Sequence, residues 1–100
     1  MIYLWYNLSM IFEYDEQKSD TNKSKHGIDF KEAQKLWEDP YSFELPSSQS
    51  EDEERFLVLA KIKSKNYTAI ITYRNTNIRI ISVRRSREKE KKFYESIKNR

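Results

Sequence analysis

One hundred residues are one domain's worth of chain, and a domain this small commits most of its apolar side chains to a single core. Hydrophobic residues make up 37% and charged residues 35%, but 14% are aromatic, which excludes the aromatic-poor composition of a disordered chain. The formal charge of +3 is unevenly spread: residues 74–100 hold ten Lys/Arg and three Asp/Glu, net +7, against −4 in residues 1–73. Such asymmetry fits a polyanion partner for the basic part, or else a solvated, salt-bridged terminal helix.

The absence of cysteine removes disulfides, thiolate catalysis and cysteine zinc sites together. One histidine gives no basis for a structural zinc site, so neither a metal nor another cofactor is expected. No run approaches the roughly 20 apolar residues of a membrane span. Residues 1–8 are apolar but short and lack a basic flank, unlike a secretory signal. A cytoplasmic protein with no membrane partner is the expectation.

In chain order, residues 11–14 read as a short strand. Asp15 then caps a polar helix to about Lys25, with Lys23, Lys25 and His26 in its last turn and Gly27 at the left-handed position after it. Asp29 and Glu32 have capping-box spacing, and Ile28 with Ala33 can form a hydrophobic staple. Phe30, Ala33, Leu36 and Trp37 share one helical face, and Asp39-Pro40 ends that helix. Tyr41, Phe43 and Leu45 alternate as a half-buried strand, and residues 46–53 are a polar loop. Strands follow at 55–62, 67–73 and 78–83, joined by short polar connections that imply antiparallel neighbours. Ser86 is expected to cap a last helix whose apolar face is Phe93, Tyr94 and Ile97, with a supporting Glu88–Lys92 pair. The order of elements predicts an α+β fold: N-terminal helices, an antiparallel β-meander sheet and a C-terminal helix.

An ordered series of residues resembles one known family. Phe12-Glu13-Tyr14-Asp15, Lys18, Asn22 and Lys25-His26-Gly27 are similar to the opening of BrnT-type toxins. Phe30-Lys31-Glu32-Ala33, Asp39-Pro40, Glu54-Arg55, Tyr73-Arg74, Arg79 through Arg85, Glu90 and Tyr94 continue the likeness. It covers roughly residues 10–95. Val83 and Ser86 stand where many relatives carry alanine, and a glycine common near Ala60-Lys61 is missing. Residues 1–9 lie outside the likeness, and the expectation is that Met10 is the natural start, the rival being an extra edge strand; residues 10–100 then form the toxin domain. The resemblance implies a RelE-like fold and cleavage of RNA without metal. It also implies a BrnA-like antitoxin held in a heterotetramer of two toxins and two antitoxins, with DNA contacted only through the antitoxin.

RNA cleavage by the 2′-hydroxyl needs a base for that proton, charge to steady the phosphorane, and a proton for the leaving oxygen. Guanidiniums suit the phosphate work because their fork matches two oxygens. Arg79 is therefore the first candidate, with strand alternation placing it and Ile81 on one face and Ile80 and Ser82 on the other. In this reading it lines a sheet face with Arg55 and Tyr73. His26 is the candidate acid or base, or equally a helix C-cap. Lys25, Arg84 and Arg85 are candidate RNA contacts; a basic pair before a helix conflicts with its dipole, which favours a phosphate there. Tyr94 and Tyr73 can stack on bases or be core residues with a wet hydroxyl. Glu54 is a possible base, though the run 51–54 reads more simply as a solvated loop. The expected activity is that of a metal-independent endoribonuclease toxin. The alternatives are a nucleic-acid-binding module that has lost cleavage, and a purely structural half of a complex.

Overall fold

The computed structural model describes residues 10–47 and 53–100; the expected extra segment 1–9 lies outside them. The elements run β1 (Phe12–Glu13), α1 (Glu16–His26), α2 (Phe30–Ala33), a 3-10 turn (Gln34–Glu38), β2 (Phe43–Pro46), β3 (Phe56–Ile62), β4 (Lys65–Arg74), β5 (Asn77–Arg85) and α3 (Glu88–Lys98). They form an α+β fold around one five-stranded sheet of order β1-β5-β4-β3-β2. β2 to β5 are the expected antiparallel meander. The sheet as a whole is mixed, because β1 pairs parallel to β5, Phe12 opposite Ile78 and Glu13 opposite Arg79. Parallel neighbours need a long crossover, and here the helices and the meander supply it.

Helix α1 is polar nearly all round, and its only buried residues are Ser19 and Asn22. Hydrogen bonds, not an apolar stripe, hold it down. The Ser19 hydroxyl accepts from the Phe30 amide at 2.9 Å. Asn22 donates to the carbonyls of Ile28 (2.8 Å) and Val83 (2.9 Å) and accepts from the Val83 amide at 3.2 Å. Asn22 thus satisfies backbone groups of β5 beyond the reach of the two-residue β1, groups that would be costly to leave unpaired. Asp15 caps the helix start by accepting from the Lys18 amide at 3.0 Å. Gly27 ends it at φ 76°, a left-handed value that glycine adopts without a Cβ penalty.

The Asp29–Glu32 capping box is closed in both directions, at 2.7 and 2.9 Å. α2 lasts one turn before the chain tightens into the 3-10 turn. Phe30, Ala33, Leu36 and Trp37 nevertheless share the buried face. They pack on the inner face of the sheet against Val58, Ala69, Ile71, Ile78, Ile80 and Val83. Trp37 meets Phe12 edge-on at 4.9 Å. The outer face carries a smaller cluster: Phe43, Leu59 and Tyr94, with Leu45 and Ile97 packed against it.

Three local expectations are corrected. The register passes from Ile71 opposite Ile80 to Ile70 opposite Ser82, so β5 holds one extra residue, Ile81, and bulges there. The bulge puts Ser82 on the outer face with Ile70, opposite to Ile80 on the inner one, where simple alternation joined them. α3 begins one residue late, with Arg87 as N-cap. β5 is still paired at Ser86, whose amide donates to the Asn66 carbonyl at 3.0 Å, and the Ser86 hydroxyl meets that of Thr68 at 2.9 Å instead of capping. On α3, Glu88 approaches Lys91 at 3.4 Å, not Lys92. Among the described residues no helix is long and apolar enough to cross a membrane.

Candidate active site

Register places a row of polar groups across the outer face, near the end of the sheet opposite the β3–β4 turn. Thr72 on β4 lies beside Arg79 on β5, and Arg79 beside Glu13 on β1. Arg55 immediately precedes Phe56, whose inner-face partner is Ile71, so alternation sends Arg55 to the outer face beside Thr72. The Thr72 hydroxyl donates to the Glu54 carbonyl at 2.7 Å and ties down the start of β3 there. Two guanidiniums, Arg55 and Arg79, thus flank one threonine. Arg55 Nε is buried and finds no hydrogen-bond partner among the described residues. Arg79 is 26% exposed, and its Nη1 lies 3.5 Å from Glu13 Oε1, longer than the 2.7–2.9 Å of a strong charge-assisted bond. Arg74 Nε stands 4.0 Å from both Glu13 and Glu53, and Asn77 donates to Glu13 at 3.2 Å.

A second feature lies about three residues further along β5, roughly 10 Å of strand. Lys18, Thr21, Asn22, Lys25 and His26 of α1 face Ile81 and Ser82 across a cleft of about 230 Å³. The bulge brings Ser82 to this cleft, and the bonds from Asn22 to Val83 fix its two walls. Lys25 and His26 therefore gather here and not on the Arg55–Thr72–Arg79 row, although both features border the same stretch of β5.

The other expected residues are placed differently. Arg84 grips Glu90 through both guanidinium nitrogens, at 2.7 and 2.9 Å. Glu90 also accepts from the Arg87 amide and the Thr68 hydroxyl. The Arg84 bond, aided by these donors, holds the Glu90 carboxyl down to about 2, and the same bond raises the Arg84 pKa. The expected conflict between a basic pair and the helix dipole is thus met inside the chain, by an acidic first turn. Arg85 packs over the Tyr67 ring at 5.6 Å, and its Nε donates to the Asn66 carbonyl at 3.4 Å. Tyr94 is 1% exposed, and its hydroxyl donates to Asp39 at 2.7 Å; burial, then that carboxylate, push its pKa up. No ring face is left there for a base. Tyr73 pairs with Ile78 and so faces the side of the sheet away from Arg79. Its hydroxyl donates to Glu44, and burial followed by that carboxylate raises its pKa.

A larger depression of about 460 Å³ lies at the other end of the sheet, bordered by Lys35, Asp39, Tyr41, Lys61 and Lys98. Its half-buried carboxylate is engaged: Asp39 accepts from the amides of Tyr41 and Lys61 and from Tyr94. The phosphate-matching groups lie instead along β5. Sequence reasoning passed over Glu13, Thr72 and Ser82. Glu13 had no visible partner because Arg79 lies 66 residues later in the chain; the one signal was its position in a short strand beside Phe12 and Tyr14.

Comparison with known families gives one match. The family described as "Ribonuclease toxin, BrnT, of type II toxin-antitoxin system" matches residues 14–90. No curated protein matches the chain.

Proposed function

Because the chain belongs to the BrnT family of ribonuclease toxins of type II toxin-antitoxin systems, we propose that it is a metal-independent endoribonuclease whose substrate strand lies along the outer face and open edge of β5. Arg79 and Arg55 hold the scissile phosphate from one face, and their fixed charge offsets the charge that grows on the phosphorane. Lys25 and Lys18 hold a neighbouring phosphate at the α1 cleft. His26 lines the same cleft and contacts the bound strand there. Arg84 acts indirectly, by bracing the end of β5 against α3, and Arg85 contributes an outlying basic contact. The observation that carries this reading is Arg79 opposite Thr72 on the outer face, only loosely paired to Glu13, with strand alternation bringing Arg55 to the same face.

The reading includes a partner and a setting. A BrnA-like antitoxin neutralises the toxin by covering this basic face in a complex of two toxins and two antitoxins, and any contact with DNA runs through the antitoxin. A RelE-like arrangement is supported by helices, meander and closing helix in that order, and cytoplasmic RNA is the target. The test is controlled expression with and without the reading frame adjacent to the gene. The expected result is growth arrest and RNA loss from the toxin alone, rescue by Arg79→Ala, and a stable complex when both are made. Unharmed cells and whole RNA with the toxin alone would overturn the reading.

A further inference from the structure

We propose that Glu13 is the general base of the cleavage, taking the proton from the 2′-hydroxyl of the nucleotide whose phosphate Arg79 holds; this rests on the ribonuclease reading above. The parallel register of β1 on β5 sets Glu13 directly beside Arg79 on the outer face. One Glu13 oxygen lies 3.5 Å from Arg79 Nη1. A carboxylate and a guanidinium at that spacing can reach the 2′-oxygen and a non-bridging oxygen of one phosphodiester together, the placement general-base catalysis needs.

Four other described carboxylates are occupied or remote. Glu90 is held by Arg84, Arg87 and Thr68. Asp39 takes three donors under α3. Glu32 is shared between Lys23 and the Asp29 amide, and Glu44 faces Tyr73 on the far side of the sheet. Among the described residues Glu13 accepts one hydrogen bond, from Asn77 at 3.2 Å, and stands 3.5 Å from Arg79 and 4.0 Å from Arg74. Its side chain is 31% exposed, so its oxygens are held in place yet remain open to a substrate.

The brevity of β1 adds to the case. Only two residues pair: Phe12 packs inward against Trp37, and Glu13 turns outward to Arg79. The inner ring anchors the outer carboxylate, the kind of rigid support a catalytic group needs. In the step itself, Glu13 takes the 2′-proton as the 2′-oxygen bonds to phosphorus. The bond from phosphorus to the 5′-oxygen breaks, and that oxygen receives a proton through water, to which Glu13 returns its own. The products are a 2′,3′-cyclic phosphate and a free 5′-hydroxyl, with no net change in protons.

The experiment compares the full-length wild-type chain with Glu13→Gln and Glu13→Asp, both in cleavage of a short RNA and in binding of an oligonucleotide that carries 2′-deoxyribose at the scissile position. Glu13→Gln is expected to lower kcat by about 10²–10⁴-fold, with KM and affinity for the blocked oligonucleotide unchanged. Glu13→Asp keeps the carboxylate one methylene back and is expected to fall between. Gln activity within about tenfold of wild type, or loss of RNA binding in step with cleavage, would overturn the proposal while leaving the ribonuclease reading standing. A wild-type chain without cleavage would overturn both. If the Gln variant does not fold, the Asp variant decides alone: kcat equal to wild type would contradict the role.

Discussion

Arg84 and Glu90 meet through two bonds of 2.7 and 2.9 Å and so lock the end of β5 to the first turn of α3. Removing the charge on one side strands the other in a half-buried place. Glu90→Gln should cost about 1–3 kcal/mol and lower Tm by roughly 5–15 °C for a domain of this size. The pH dependence has a definite sign. The folded-state pKa of Glu90 is lowered from 4.5 to about 2, so its contribution is whole above the ordinary glutamate range. It drains away as pH falls from about 4.5 toward about 2. Thermal melts across that window should show a steeper acid loss in the wild type than in the Gln variant.

Arg79→Ala should slow cleavage sharply with little loss of stability, since its contact with Glu13 is long and partly exposed. A single lost donor to a transition-state oxyanion costs about 10²–10³-fold in kcat. Arg79→Lys should recover only part of this, because an ammonium lacks the fork. Steady-state kinetics beside a melt of each variant checks both halves.

Tyr94→Phe separates a structural tyrosine from an RNA-stacking one. Its hydroxyl donates to the half-buried Asp39, and its loss should cost about 1–3 kcal/mol, as for a hydrogen bond to a charged group. RNA affinity below the melting range should not change. Weaker RNA binding without a lower Tm would show that the ring reaches the substrate.

Asn22→Ala removes three bonds between α1, the following loop and β5. With those backbone groups buried and unpaired, a loss of about 2–4 kcal/mol is expected. Because the same bonds hold the walls of the Lys25–His26 cleft together, RNA affinity should fall as well. Denaturant melts and anisotropy titrations with a 2′-deoxy-substituted oligonucleotide report the two effects separately.

Local chemistry was readable from sequence wherever cause and effect lie within a few residues. Asp15, Gly27 and the Asp29–Glu32 box each act on backbone groups at most four positions away, and each is found as its spacing predicts. The face of Ser82 was not readable, because one bulged residue inverts alternation and nothing in residues 78–83 marks where the extra residue falls. The separation of Tyr73 from Arg79 required the β4–β5 register, which depends on the turn at Asn75. Arg84 read as a free cation because Glu90, six residues on, becomes its partner only once β5 runs straight into α3. The pairing of Glu13 with Arg79 depends on a parallel contact between the first and last strands, which no local pattern encodes.

The most direct measurement is digestion of a defined RNA by the purified toxin, freed of any partner, in excess chelator, with the new ends identified by mass. Metal-independent attack by the 2′-hydroxyl at the Arg79 site predicts cleavage under these conditions, 2′,3′-cyclic phosphate and 5′-hydroxyl ends, and product formation slower by about 10²–10³-fold from Arg79→Ala. Intact RNA until a divalent cation is restored, or 5′-phosphate ends, would contradict it.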